Sequence, residues 1–321
     1  MHVLTVLPQY EDSIQEVENV IQKTINSNAR IMDTITYYIL RSSGKRLRPA
    51  LFLASLGLDR VTPGIINTAA SIELIHTASL VHDDIVDQSL MRRGLPTVNA
   101  RWGNEISVLT GDYLFARAFV LLTKSGCHEI ISILAEVIEG MSVGEIEQLM
   151  DVFNPSLSEE AYLERIKKKT AYFMAGACMA GGLLRKGGEE ELKALYNYGL
   201  NLGLAFQIKD DILDFQGQEE VTGKPRASDL RQGIITLPVI HLLRHGKSRE
   251  ELKENIRNRQ LSEACLTGVL KEMQQAGSLA YCEDLVKAYT TRAIKALEDL
   301  GDAGIKRDLN RITEANASRC Y

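Results

Sequence analysis

Two short acidic segments carry the most chemistry in this chain: Asp83-Asp84-Ile85-Val86-Asp87 and Asp210-Asp211-Ile212-Leu213-Asp214. Each lies inside an apolar stretch, LVHDDIVDQS and AFQIKDDILDF, with the character of a helix. At 100° per residue the first and fifth positions of each copy fall on one helix face. A core-like helix that points carboxylates one way must find them a partner, because an unpaired desolvated charge is costly. Two such clusters facing a common space would form an all-oxygen cage, the donor set of a hard divalent cation such as Mg²⁺. A single copy would read as a solvated helix face. Two copies with apolar interiors and flanks favour a metal.

Basic residues occur at spacings that would complement such a site. Gly44-Lys45-Arg46-Leu47-Arg48-Pro49 places three cations in four positions at a helix break. Arg92-Arg93-Gly94 follows the first acidic segment by five residues, and Arg165–Thr170 reads RIKKKT before a smooth apolar helix. Arginine offers a planar bidentate fork to phosphate oxygens and lysine a compact charge. Alone, each run is more simply a solvated turn. In company with the carboxylates they point to a diphosphate held between metal ions and cationic side chains. His76, seven residues before Asp83, and Gln207, three before Asp210, share roughly the faces of their motifs.

Long stretches of helical periodicity and only seven prolines in 321 residues predict an all-helical body. Residues 10–42 read as two amphipathic helices broken near Asn26–Asn28. Thr62-Pro63 opens a helix running to about Ser89. Arg92–Pro96 reads as a loop, helices cover 104–124 and 128–152, and Ser156 with Glu159 resembles a capping box for a helix to about 185. A helix over 189–215 carries the second acidic segment. Gly217–Gly233 is a polar loop, Ile234–His245 is apolar, and three or four amphipathic helices finish the chain. No stretch alternates as a strand does, and no linker divides the chain, so one domain over 1–321 is expected.

Hydrophobic residues make up 45% and charged residues 25%, and the net charge is −5, which disfavours a general nucleic-acid binder. The five scattered cysteines lack metal-ligand spacing, as expected of a reduced cytoplasmic protein. The N-terminus has no basic region before an apolar run, and no membrane span is expected.

Together, GKRLRP, ELIHTASLVHDDIVD, RRGLPT, GDYL, KKKT, FQIKDDILD, GKPRASDL and TLPVI, in this order, resemble the trans-polyprenyl diphosphate synthases, with most similarity to heptaprenyl and octaprenyl types. The resemblance implies an all-α bundle of about ten or more helices around a deep central cavity, the isoprenoid synthase type, usually homodimeric. It implies three Mg²⁺ ions, with Asp83 and Asp87 ligating two, Asp210 a third, and Asp84, Asp211 and Asp214 in supporting or shared roles. Arg92, Lys169 and Lys224 would bind the allylic diphosphate, and Lys45, Arg48, His76 and Arg93 isopentenyl diphosphate. Thr170 and Gln207 would face the reacting carbons. Where many relatives have a lysine after the Gly of DLRQG, this chain has Ile234.

The reaction so implied is Mg²⁺-dependent head-to-tail elongation of an allylic diphosphate. In short-chain relatives a bulky aromatic before the first motif closes the tail pocket. Here Ala78 and Ser79 stand there, which predicts a product of more than about twenty carbons, roughly six to eight units at one unit per helical turn. The alternatives are a geranylgeranyl-type short-chain synthase and the catalytic subunit of an obligate two-component synthase. Terpene cyclases and head-to-head synthases lack the GKRLRP element. Non-catalytic subunits lose acidic motifs, and both are complete here.

Overall fold

A computed structural model describes residues 3–25, 29–41, 44–57, 61–217 and 226–318. The predicted break near Asn26–Asn28 and the cation Lys224 lie outside them. The described chain is all-α: α1 Val3–Val6, α2 Glu11–Ile25, α3 Arg30–Arg41, α4 Leu47–Leu56, α5 Pro63–Val86, α6 Val98–Trp102, α7 Asn104–Leu122, α8 His128–Met150, α9 Glu159–Ile166, α10 Tyr172–Leu184, α11 Glu189–Gln216, α12 Ser228–Arg231, α13 Leu237–His245, α14 Arg249–Arg257, α15 Glu263–Gln275, α16 Ser278–Ala296 and α17 Ala303–Ala317. Its contacts divide it into two compact units. The first comprises Met1–Ile138, Gly176–Leu195 and Asp299–Ile312; the second comprises Glu139–Ala175, Tyr196–Glu298 and Thr313–Tyr321.

In the first unit α5 is the core helix, packed against α2, α4 and α7. Pro63 occupies its first turn, where no intrahelical donor is lost. From Ile65 to Ala78 nearly every side chain is buried, so the helix is apolar all round, as a core helix must be. By length and composition it could cross a membrane, contrary to the sequence expectation that no window would qualify. Yet 67% of its most apolar stretch is buried inside the protein. The contact with α7 is close because Gly111 leaves room for a ring: a Cβ there would lie 2.1 Å from His82 Nε2.

The second unit is built around α11, α13 and α16, with a core that includes Tyr162, Ile208, Ile212, Leu237 and Cys282. Two glycines of α11 bring it backbone to backbone against its neighbour. A Cβ on Gly199 would sit 2.6 Å from Ala175 Cα, and one on Gly203 2.5 Å from Ala171 Cα.

Three local readings are corrected. The capping residue before α9 is Ser158, not Ser156: Ser158 Oγ accepts from Ala161 N–H at 3.1 Å, and Ser156 N–H instead donates to Asn154 Oδ1 at 3.0 Å. The helix it opens is interrupted by a π-helical segment, Lys167–Ala171, before α10. Arg92–Pro96 is a ribbon, β1 (Met91–Arg92) paired antiparallel with β2 (Leu95–Pro96). Its two turn residues, Arg93 (φ 51°) and Gly94 (φ 77°), both take the left-handed backbone of a tight hairpin. Two-residue strands are too short to show an alternating pattern.

Candidate active site

The first acidic segment sits at the very end of α5. Asp83 and Asp84 lie in its last turn, and Asp87 is the capping residue, its N–H bonded to Asp83 O at 2.8 Å. The carbonyl end of a helix carries the negative pole of its dipole, so three carboxylates there add like to like and call for cations. Thr97 and Asn99 hold this end in place: Thr97 Oγ1 and Asn99 Nδ2 donate to Ser89 O at 2.7 and 3.1 Å.

The three carboxylates are not equivalent. Asp84 is buried, and Arg92 grips it, with Nε 2.8 and 3.0 Å from the two oxygens and Nη2 2.8 Å from Oδ1. Asp83 and Asp87 are half-buried.

The basic residues of both motifs gather in this unit. Arg46, in a left-handed conformation before α4, is buried and reaches Glu73 at 2.6 Å and Glu18 at 3.1 Å. It ties the GKRLRP loop to α2 and α5. Arg48 Nη1 lies 2.9 Å from His76 Nε2. A guanidinium can only donate, so His76 Nε2 accepts and its ring proton sits on Nδ1. Burial, then Arg48, Arg93, Arg92 and Arg46, hold His76 well below its ordinary pKa, so the ring is neutral.

Arg93 lies against Gly44, where a Cβ would come within 2.9 Å of its Nη2. Burial and then Arg92 lower the Arg93 pKa, the mark of a locally positive field. Lys45 is exposed. A pocket beside these groups is lined by Arg46, His76, Asp84, Arg92 and Arg93, and by the apolar Leu80, Val81, Leu95 and Pro96. Tyr38 of α3 anchors the ribbon by donating to Pro96 O at 2.7 Å. Ala78 is fully buried; Ser79 is half-buried and donates to His76 O at 2.9 Å.

In the second unit the other acidic segment also lies in the closing turns of its helix, α11. Asp211 is buried and accepts from Tyr162 Oη at 2.6 Å and from Gln207 Nε2 at 2.9 Å. Gln207 Oε1 accepts from Thr170 Oγ1 at 2.8 Å. The close approach at Gly203, one turn before Gln207, makes that contact reachable. Asp214 caps α12, accepting from the N–H groups of Ser228 at 3.1 Å and Asp229 at 3.3 Å. Asp210 is half-buried.

Burial first, and then Asp229, push the Asp211 carboxyl up to about 7. The same two causes raise Asp214. Lys169 pairs with Glu145 of α8 at 2.5 Å. Gly144 permits it, since a Cβ there would be 3.1 Å from Lys169 N.

Both acidic segments thus stand at negative helix ends, where a cation belongs. Among the described residues no three His, Cys, Asp or Glu side chains converge tightly enough to hold an ion alone. The carboxylates at these helix ends are the oxygen donors that a hard divalent cation takes.

Residues 29–273 match the family model described as Polyprenyl synthetase. The chain belongs to the polyprenyl synthetase family. It is a prenyltransferase. It is 37% identical over 314 residues to the octaprenyl diphosphate synthase of Haemophilus influenzae, covering 97% of this chain and 95% of that one. It is 35% identical over 312 residues to heptaprenyl diphosphate synthase component 2 of Bacillus subtilis, covering 97% and 89%. Its fold superposes with a TM-score of 0.92 on a polyprenyl synthase from Caulobacter crescentus complexed with calcium and isoprenyl diphosphate, at 35% identity over 99% and 98% of the two chains.

Sequence reasoning on this prenyltransferase overlooked Arg46, Glu73, Tyr162 and Glu145. Arg46 was in view within GKRLRP, but its partners lie 28 and 27 residues away. Tyr162 reaches Asp211 across 49 residues, and nothing in EEAYLERI marks that reach.

Proposed function

We propose that the chain elongates an allylic diphosphate with isopentenyl diphosphate, head to tail, giving an all-trans polyprenyl diphosphate of roughly six to eight units. The observation that carries this reading is at the end of α5, where Asp83, Asp84 and Asp87 stand at a negative helix pole, Arg92 pairs with Asp84, and Arg93 and His76 line the same pocket as Asp84. Acidic and basic groups gathered there suit a ligand that is itself a metal–anion pair.

Asp83 and Asp87 are the metal ligands of the first segment and Asp210 that of the second. Asp84, Asp211 and Asp214 already serve Arg92, Tyr162 with Gln207, and the α12 N-terminus. Bound Mg²⁺ would stabilise charge on the departing diphosphate as a Lewis acid. Arg92 and Lys169 hold the allylic diphosphate, and Lys169 exchanges Glu145 for phosphate oxygens. Arg48 and Arg93, with Lys45, hold isopentenyl diphosphate. Neutral His76 orients Arg48 by accepting its N–H, and can donate from Nδ1. Thr170 and Gln207 lie beside the allylic cation, whose capture by water an apolar enclosure prevents. The proton lost on condensation passes to the released diphosphate.

Ala78 and Ser79 leave the tail pocket open and set the product beyond about twenty carbons, on the same one-turn-per-unit spacing. The chain works as a homodimer, for which the exposed Val108, Leu109 and Val120 of α7 offer an apolar face. The two-component alternative is kept because one similar protein is named as a component. The purified chain, incubated alone with Mg²⁺, farnesyl diphosphate and labelled isopentenyl diphosphate, tests the proposal. Products of roughly thirty to forty carbons are expected from the unit count above. No elongation by the lone chain would favour the two-component form, and a cyclic product would overturn the reading.

A further inference from the structure

Tyr162 is fully buried in the core of the second unit, yet its hydroxyl is spent on a carboxylate and not on a backbone group. Three links connect it to the π-helical segment. Tyr162 Oη donates to Asp211 Oδ2 at 2.6 Å, Gln207 Nε2 donates to Asp211 Oδ1 at 2.9 Å, and Thr170 Oγ1 donates to Gln207 Oε1 at 2.8 Å.

The direction of this relay follows from donor chemistry. Tyr162 Oη and Gln207 Nε2 both donate to Asp211, so Gln207 turns its amide NH₂ toward Asp211 and its carbonyl toward Thr170. The hydroxyl hydrogen of Thr170 is then committed to Gln207, and Thr170 Oγ1 offers only lone pairs to any other neighbour. An oxygen in that state stabilises a positive centre and does not compete as a proton donor.

We infer that Tyr162 is a positioning residue for prenyl transfer. By occupying Oδ2 it holds Asp211 where Oδ1 fixes the Gln207 amide, and through it the polarity of the Thr170 oxygen. The inference rests on the proposed reaction, in which an allylic cation forms beside Thr170. The role is distinct from metal binding, because Tyr162 acts through Asp211 toward Gln207 and Thr170.

Tyr162→Phe keeps the buried ring and removes one oxygen. At saturating substrates and Mg²⁺, kcat should fall about tenfold, with the KM of both diphosphates and the Mn²⁺ affinity, read by electron paramagnetic resonance without substrate, within about twofold of the parent. Thr170→Val should cost at least as much. The double variant should be no slower than Thr170→Val alone, since both substitutions cut one relay. Additive losses in the double variant, or a loss in KM or Mn²⁺ affinity with kcat kept, would overturn the inference. If Tyr162→Phe does not fold, 3-fluorotyrosine at position 162 retains shape and hydroxyl while altering donor strength. An unchanged kcat there overturns it equally. Failure of the parent chain to elongate at all would instead reject the proposed reaction.

Discussion

Arg92 and Asp84 are locked together at the end of α5, Nε lying 2.8 and 3.0 Å from the two carboxylate oxygens. The middle aspartate of the first acidic segment therefore orients an arginine of the ribbon, and its neighbours differ from it in burial.

That difference is measurable. Asp84→Asn should weaken the fold by about 1–2 kcal/mol, below the 3–5 typical of a fully buried pair because Arg92 is partly exposed. Asp83→Asn should change stability by less than about 0.5 kcal/mol while lowering kcat by more than about a hundredfold. Urea denaturation alongside steady-state kinetics separates the two, and equal effects at both positions would contradict the division of roles.

The raised carboxyls of the second segment couple stability to pH. Asp211 ionises near 7 when folded, against 3.8 for an ordinary aspartate, and Asp214 is raised likewise. A folded-state pKa above the unfolded one gives stability that is full below pH about 4 and is lost as pH rises through about 7. A divalent cation favours the ionised form and releases protons on binding. Protection against urea by Mg²⁺ should therefore be greater at about pH 8 than at about pH 5.5. Equal protection at both would show that cation binding does not draw on the ionisation of Asp211 and Asp214.

Product length probes α5. Ala78 is fully buried, so Ala78→Phe should cost about 1–3 kcal/mol through overpacking and shorten the product by at least one unit. Chromatography of dephosphorylated products reads the length, and thermal melting the cost. An unchanged product would show that Ala78 does not border the growing tail.

The α5–α7 contact can be tested apart from any substrate. Gly111→Ala would place a Cβ 2.1 Å from the His82 ring, which should destabilise the protein by about 1–3 kcal/mol. Adding His82→Ala should recover most of that loss, because the ring is what the methyl meets. Losses that simply add would show that something other than the ring sets the contact.

The helices and the acidic segments were legible because their signals are local. Thr62-Pro63 announces α5, and the spacing of apolar residues carries it to the first segment. The ribbon was not legible: Arg93 in a left-handed turn is an unusual choice for a non-glycine residue, and two-residue strands have no period to read. The distinction between Asp84 and its neighbours was visible only in part, since Arg92 lies eight residues away. The partners of Lys169 and Asp211 were not legible, because Glu145 and Tyr162 sit on separate helices and pattern alone does not report which face meets which.

The π-helical turn at Lys167–Ala171 holds one residue more than an α-helical turn would need. Five π-helical residues turn the chain about as far as four α-helical ones, so removing a single residue there would let the turn close as a regular α-helix with both flanks keeping their faces. Tyr162 would still meet Asp211, while Lys169 and Thr170, inside the turn, would lose the positions from which they reach Glu145 and Gln207. A one-codon deletion would here spare the fold and dismantle the site.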